Sequence, residues 1–282
     1  MLRWPILIWI ACWYQATSAI DTDGSDNKNA TTATPIYPSV LLLVISPYLY
    51  DVVERDAVRN TWAAEAAKYN IRVLFPFTAL GEQDEDVKKA IEEESAYHQD
   101  AYIFNYLPDE FDTDMTLTLN TLNWALTKQP SARYYGKVTA DIWLNAPKLA
   151  EVLKGLNDTT DWIMGRYADN QDEEVKDLYG SLHGYAEMGK GQFALGHFWL
   201  MPKRTLKKVI KAAGSVVGNS DIGDAVITGD YRRAMGIPAV NRTDVVNMWD
   251  IKGVEICYRE NYLAVHGVFY KQKHVMHNQK CD

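Results

Sequence analysis

Cysteine is scarce in this chain, with three in 282 residues. That excludes a disulfide-framework domain. Cys12 lies in an N-terminal apolar segment, which leaves Cys257 and Cys281. In an oxidising compartment these two are expected to pair, and neither has metal-ligand spacing. A basic excess is missing too. The formal net charge is −8, opposite to that of a general nucleic-acid binder, so no nucleic acid is expected as a partner. There is no internal repeat and no long basic tract. No G-x-S-x-G nucleophile elbow occurs, which disfavours a secreted α/β hydrolase. Trp4 to Tyr14 is apolar but short for a bilayer span of about 20 residues.

What is present reads as a globular protein of one large domain or at most two, 47% hydrophobic and 23% charged. Arg3, the apolar run after it and the small residues Ala16 to Ala19 have the layout of a secretory signal over residues 1–19, either cleaved or kept as a short anchor. Residues 20–38 are polar and lack periodicity, as in a disordered stem. The folded domain is expected over 39–270, with a solvated tail over 271–282. Sequons stand at Asn29, Asn157 and Asn241. These features point to the secretory pathway: the Golgi or endoplasmic reticulum lumen as a type II membrane protein, or secretion if the signal is cleaved.

Val40 to Ile45 is a continuous β-branched run of the kind buried on both faces of a sheet. Helix-like Glu54–Tyr69, strand-like Ile71–Phe77, helical Asp84–Tyr97, strand-like Tyr102–Phe104 and a helix from Asp112 or Thr113 to Thr127 follow. Arg133–Val138 is the next strand and Ala146–Leu153 the next helix. Such alternation predicts βαβ units and a mostly parallel sheet. Farther on, Trp162–Gly165 and Gln192–Met201 read as strands, Pro202–Ala213 and Asp224–Met235 as helices. Asp169–Gly191 reads as a long loop.

Asp141 ends a strand, in the turn Thr139-Ala140-Asp141. Open α/β sheets place their ligands at such ends. A carboxylate there can hold a hard divalent cation and, through it, a diphosphate. The other reading is a turn or helix cap. Trp162, Tyr179, His183 and Tyr185 are candidates for stacking on sugar rings, with core packing the alternative for Trp162. His274 and His277 share helical spacing, as a ligand pair or as part of the tail.

Five segments in order resemble the β-1,3-galactosyltransferase-like family (glycosyltransferase family 31), which includes N-acetylglucosaminyltransferases and fringe-type enzymes. Arg55 to Trp62 resembles R-x-x-I-R-x-T-W, and Thr116 to Leu122 resembles N-L-T-x-K-T. Lys137 to Asn145 resembles K-x-D-D-D-x-F-x-N. Asp224 to Gly229, followed by Met235-Gly236-Ile237, resembles E-D-V-x-x-G with its L-G. Cys257-Tyr258-Arg259 with Ala264-Val265-His266 resembles the closing cysteine and histidine segment.

The resemblance implies a GT-A-like, Rossmann-like α/β fold with helices on both faces of the sheet. It implies a hexosyltransferase that moves a hexose or N-acetylhexosamine from a UDP-sugar to a glycan or glycoprotein hydroxyl, with inversion to a β-1,3 linkage. It also implies Mn2+ on Asp141 and His266, a base at Asp224 or Asp221, and donor contacts from Arg55, Arg59, Thr139 and Trp143. For the two arginines, charge pairing with Glu54 and its neighbours is the alternative. The chain departs from the pattern at Thr139 and Ala140, where acids are usual. Asn120 replaces a lysine, and Leu195-Gly196-His197 stands for a glycine triplet. Ala225 falls on the usual base. A non-catalytic glycan- or nucleotide-binding protein on the same scaffold is therefore the rival expectation.

Overall fold

The computed structural model describes residues 40–45, 51–78, 85–104, 113–169, 171–180, 191–216, 222–247 and 260–278. The described part of the chain lies in the unit spanning residues 37–282. The expected signal, stem, Asn29 sequon, Asp221, His183, Tyr185 and the Cys257–Cys281 pair lie outside the described residues. Among the described residues, no helix is long and apolar enough to cross a membrane.

The strands are β1 (Val40–Ile45), β2 (Ile71–Thr78), β3 (Ala101–Phe104), β4 (Tyr134–Thr139), β5 (Ile142–Leu144), β6 (Ile163–Asp169), β7 (Gln192–Pro202), β8 (Ala239–Asn241), β9 (Val245–Asn247) and β10 (Ala264–His266). Seven of them form one sheet in the order β3-β2-β1-β4-β7-β6-β8. Neighbours in β3-β2-β1-β4 are parallel, as are β6 and β8, while β7 runs against both β4 and β6. The expected mostly parallel α/β sheet is borne out.

Every residue of β1 is buried. Val40, Leu42 and Val44 enter one core with Val58, Trp62 and Leu149. Leu41, Leu43 and Ile45 enter the other with Leu122, Leu206 and Val226. Successive strand residues face opposite ways, so an unbroken apolar run fits only a strand covered on both sides. Each fully buried leucine contributes about 1.5–3 kcal/mol. Gly136 marks the tightest sheet contact: a Cβ there would stand 2.4 Å from the Trp199 carbonyl oxygen.

The helices are α1 (Val52–Val58), α2 (Ala64–Ala67), α3 (Glu85–His98), α4 (Thr113–Lys128), α5 (Ala146–Lys154), α6 (Glu173–Tyr179), α7 (Lys203–Ala213), α8 (Gly223–Ala225), α9 (Arg232–Ala234) and α10 (Tyr270–Asn278). The single helix expected over Glu54–Tyr69 is α1 and α2 joined through a widened turn, Arg59–Ala63, kinked at Thr61. A second widened turn, Val226–Tyr231, joins α8 to α9. Such turns often stand at functional sites. The expected loop Asp169–Gly191 contains α6, whose short span offers little periodicity to read. The expected tail is largely α10, anchored by buried Lys273 and Met276.

A second sheet has the order β5-β10-β9. It folds over the end of β4 and pairs His266 with Ile142 on one side and Asn247 on the other.

Candidate active site

The strand order reverses between β1 and β4. Chain leaving β1 goes outward to β2 and β3, whereas chain leaving β4 goes to the opposite half of the sheet. Ligands of open α/β sheets bind in the crevice at the carboxyl ends of strands flanking such a reversal. Asp141 follows β4 at this point, two residues beyond the Ile45–Thr139 pairing. The small sheet brings His266 to it. His266 Nε2 stands 3.1 Å from Asp141 Oδ2, with side chains 11% and 28% exposed.

His266 Nδ1 faces Asn247 Oδ1 at 3.0 Å. Against an amide oxygen, Nδ1 carries the proton, so a neutral ring turns its lone pair at Nε2 toward the carboxylate. Two lone pairs at 3.1 Å repel unless a proton or a cation lies between them. Two ligands at right angles on a small octahedral cation, with bonds of about 2.1 Å, stand about 3.0 Å apart. The pair therefore fits a divalent cation, and Asn247 orients the imidazole as partners of ligating histidines do. Among the described residues no group of three His, Cys, Asp or Glu side chains is arranged to hold a metal. Two protein ligands with diphosphate and water completing the shell is the usual pattern for a phosphate-linked cation.

Burial works to raise the Asp141 carboxyl. Its hydrogen bond and charge attraction with His266 outweigh that and hold it at about 2, with smaller help from Thr139 and His197. Thr139 Oγ1 is buried near the carboxylate without a well-aligned hydrogen bond, and Trp143 Nε1 is likewise buried and unpartnered. The Asp141 carbonyl accepts from the Val268 amide at 2.7 Å. Lys273 Nζ donates to the Val268 carbonyl and to Glu54, each at 2.5 Å. These bonds tie α10 and α1 to the turn.

Asp224 is placed differently. Lys137 Nζ donates to its two oxygens at 3.1 and 3.2 Å, and Trp199 Nε1 donates at 2.8 Å. Lys137 and Asp224 are 3% and 4% exposed. A carboxylate so enclosed and neutralised is not set to meet an acceptor hydroxyl. The sequence pattern did not show this pairing, because 87 residues separate its members.

Arg55 and Arg59 are also turned inward, into an ion-pair network with partners other than Glu54. Arg55 bonds Glu94 at 2.5 and 2.8 Å, and Arg59 bonds Glu94 at 2.7 Å and Asp100 at 2.8 Å. Their guanidiniums lie over Phe77 and Phe75. Arg55 is 0% exposed, and Arg59 also pairs with Asp56, a neighbour of Glu54, at 3.0 Å; these contacts join α1 and the turn after it to α3 and to Asp100 before β3.

Trp162 is buried against Tyr134, at the sheet end away from Asp141, and so packs in the core. His274 is exposed on α10. Asn157 and Asn241 are both exposed. His197 is a site residue that motif reading passed over. Its ring stacks on His266 with centroids 3.6 Å apart. Its place where the family pattern has glycine was the available signal.

Comparison with known proteins supplies a family. The model of the Galactosyltransferase family matches residues 53–243. Beta-1,3-galactosyltransferase 4 of Mus musculus is 28% identical over 137 residues, covering 48% of this chain and 36% of that protein. Lactosylceramide 1,3-N-acetyl-beta-D-glucosaminyltransferase A of Xenopus laevis is 31% identical over 137 residues, covering 45% and 36%. UDP-GalNAc:beta-1,3-N-acetylgalactosaminyltransferase 1 of Homo sapiens is 23% identical over 245 residues, covering 82% and 71%. The chain thus spans little more than a third of the mouse and frog relatives. Among solved structures, a glycosyltransferase involved in the glycosylation of the major capsid of PBCV-1 aligns with a TM-score of 0.45 and 11% identity. That alignment covers 85% of this chain and 98% of that one.

Proposed function

Because this chain belongs to the galactosyltransferase family, we propose that it transfers a hexose or N-acetylhexosamine from a UDP-sugar to a glycan or glycoprotein hydroxyl, with inversion to a β-1,3 linkage. The observation that carries the reading is the Asp141–His266 pair at the reversal of strand order. The relatives' names carry galactosyl, N-acetylgalactosaminyl and N-acetylglucosaminyl transfer, all β-1,3.

In this reading Asp141 and His266 would hold a divalent metal such as manganese. When bound, the metal supplies positive charge to the leaving diphosphate. Asn247 keeps the His266 ring in register. Thr139 and Trp143 are the expected donor contacts, and the polar atoms of both are buried without a well-aligned bond. The acceptor oxygen attacks the anomeric carbon, the bond from that carbon to UDP breaks, and a base takes the acceptor proton. With Asp224 enclosed by Lys137, the base role passes to Asp221. The apolar N-terminal segment and the exposed sequons at Asn157 and Asn241 support a place in the Golgi or endoplasmic reticulum lumen, or outside the cell.

Calorimetry with UDP, with and without Mn2+, tests the reading. Binding is expected to strengthen with metal and to be lost in Asp141→Ala. No binding under either condition ends it. Ala225, together with the enclosure of Asp224, favours a second reading: a protein that binds UDP-sugar or glycan without transfer. Release of UDP from a panel of UDP-sugars with acceptors separates the two.

A further inference from the structure

His197 is enclosed at the site, and among the described residues one of its two ring nitrogens is left without a partner. Its Nε2 is buried and meets no hydrogen-bond partner. Leaving such an atom unpaired costs about 1–3 kcal/mol, and native interiors hold few unexplained cases. An imidazole nitrogen donates when it carries a proton and accepts when it does not, so this atom is left with one unmet bond in either tautomer.

The stacking excludes a third metal ligand. The ring planes are 19° from parallel and the centroids 3.6 Å apart. Lone pairs lie in the ring planes, so those of two face-to-face rings do not converge on one ion at about 2.1 Å. A hydroxyl or amide is the fitting ligand, because it both donates and accepts and so suits either tautomer. The register places a second polar group beside it. Val138 opposes Phe198 in the antiparallel β4–β7 pair, so Thr139 and His197 are the next residues on the two strands. The Thr139 hydroxyl is likewise buried.

Resting on the UDP-sugar reading above, we propose that His197 Nε2 and Thr139 Oγ1 form a subsite that hydrogen-bonds a ring hydroxyl or N-acetyl group of the donor sugar. If Asp141 and His266 hold the diphosphate through a divalent metal, the sugar is the next group along the donor. A residue stacked on His266 is then within its reach. His197 thereby sets how firmly the sugar, as distinct from UDP, is held.

The test is calorimetry with Mn2+ and three probes: UDP, UDP-galactose and UDP-N-acetylglucosamine. His197→Phe keeps a flat ring for the stack and removes both nitrogens. It should leave UDP affinity within about twofold and lower the ratio of UDP-sugar to UDP affinity roughly tenfold for at least one sugar. Thr139→Val should move the same ratio in the same direction, independently of packing around His197. Unchanged ratios in both variants overturn the subsite. So does an equal loss of UDP and UDP-sugar, which would make His197 part of the nucleotide or metal site. A wild type that binds neither UDP nor UDP-sugar instead ends the parent reading, and the subsite with it.

Discussion

Asp141–His266 and Asp224–Lys137 both bring an acid within 3.1 Å of a basic nitrogen, and they differ in what surrounds them. The first opens at the sheet's carboxyl edge, its acid 28% exposed. The second is sealed beneath the sheet with Trp199 closing one side. The sealed pair is 3% and 4% exposed, and its charges are met by one another and by the Trp199 indole N–H. The open pair has the capacity to exchange a partner, because water and ions reach it. Distance alone did not separate structure from function; burial did.

The strongest way to break this contrast is Lys137→Met. It leaves the Asp224 carboxylate buried with its ammonium partner gone, which costs about 3–5 kcal/mol. Urea unfolding measures it, and adding Asp224→Leu should recover most of the loss. A single variant as stable as wild type would mean the sealed pair is no different in kind from the open one. On the open side, Asn247→Ala releases the His266 ring. Metal affinity should fall about 10- to 100-fold, read by titrating Mn2+, while stability changes far less than in Lys137→Met.

Acid sharpens the contrast further. The Asp141 carboxyl sits at about 2 in the folded protein against an ordinary 3.8, so its folded value is depressed. Its contribution is complete above pH ~4 and is lost as the pH falls toward ~2. After allowing for partial exposure it is about 1–2 kcal/mol. Subtracting the unfolding curve of Asp141→Asn from that of wild type isolates it; a flat difference would remove the pair's coupling. The smallest effect is expected at Arg133–Asp158, 2.6 Å apart with side chains 58% and 28% exposed. Arg133→Ala should cost under about 1 kcal/mol by thermal melting.

The order of strands and helices was legible because alternation and apolar runs are local signals. Val40–Ile45 had to be a strand covered on both faces, and Asp141 had to stand at a strand end. The kink at Thr61 was not legible, since Arg55 to Ala67 reads as one good helix. Helix α6 was too short to show a period. Lys273 looked like part of a solvated tail, yet it is buried against Glu54, 219 residues away in sequence.

The sequence by itself determined the α/β architecture, the family pattern and the strand-end carboxylate, because each is written within a few turns of chain. Only the tertiary structure decided which charges meet. Arg55 and Arg59 took Glu94 and Asp100 as partners, Asp224 took Lys137, and Asp141 took His266. Pairing and burial depend on how distant segments pack, and that packing separates an enclosed ion pair from a binding group.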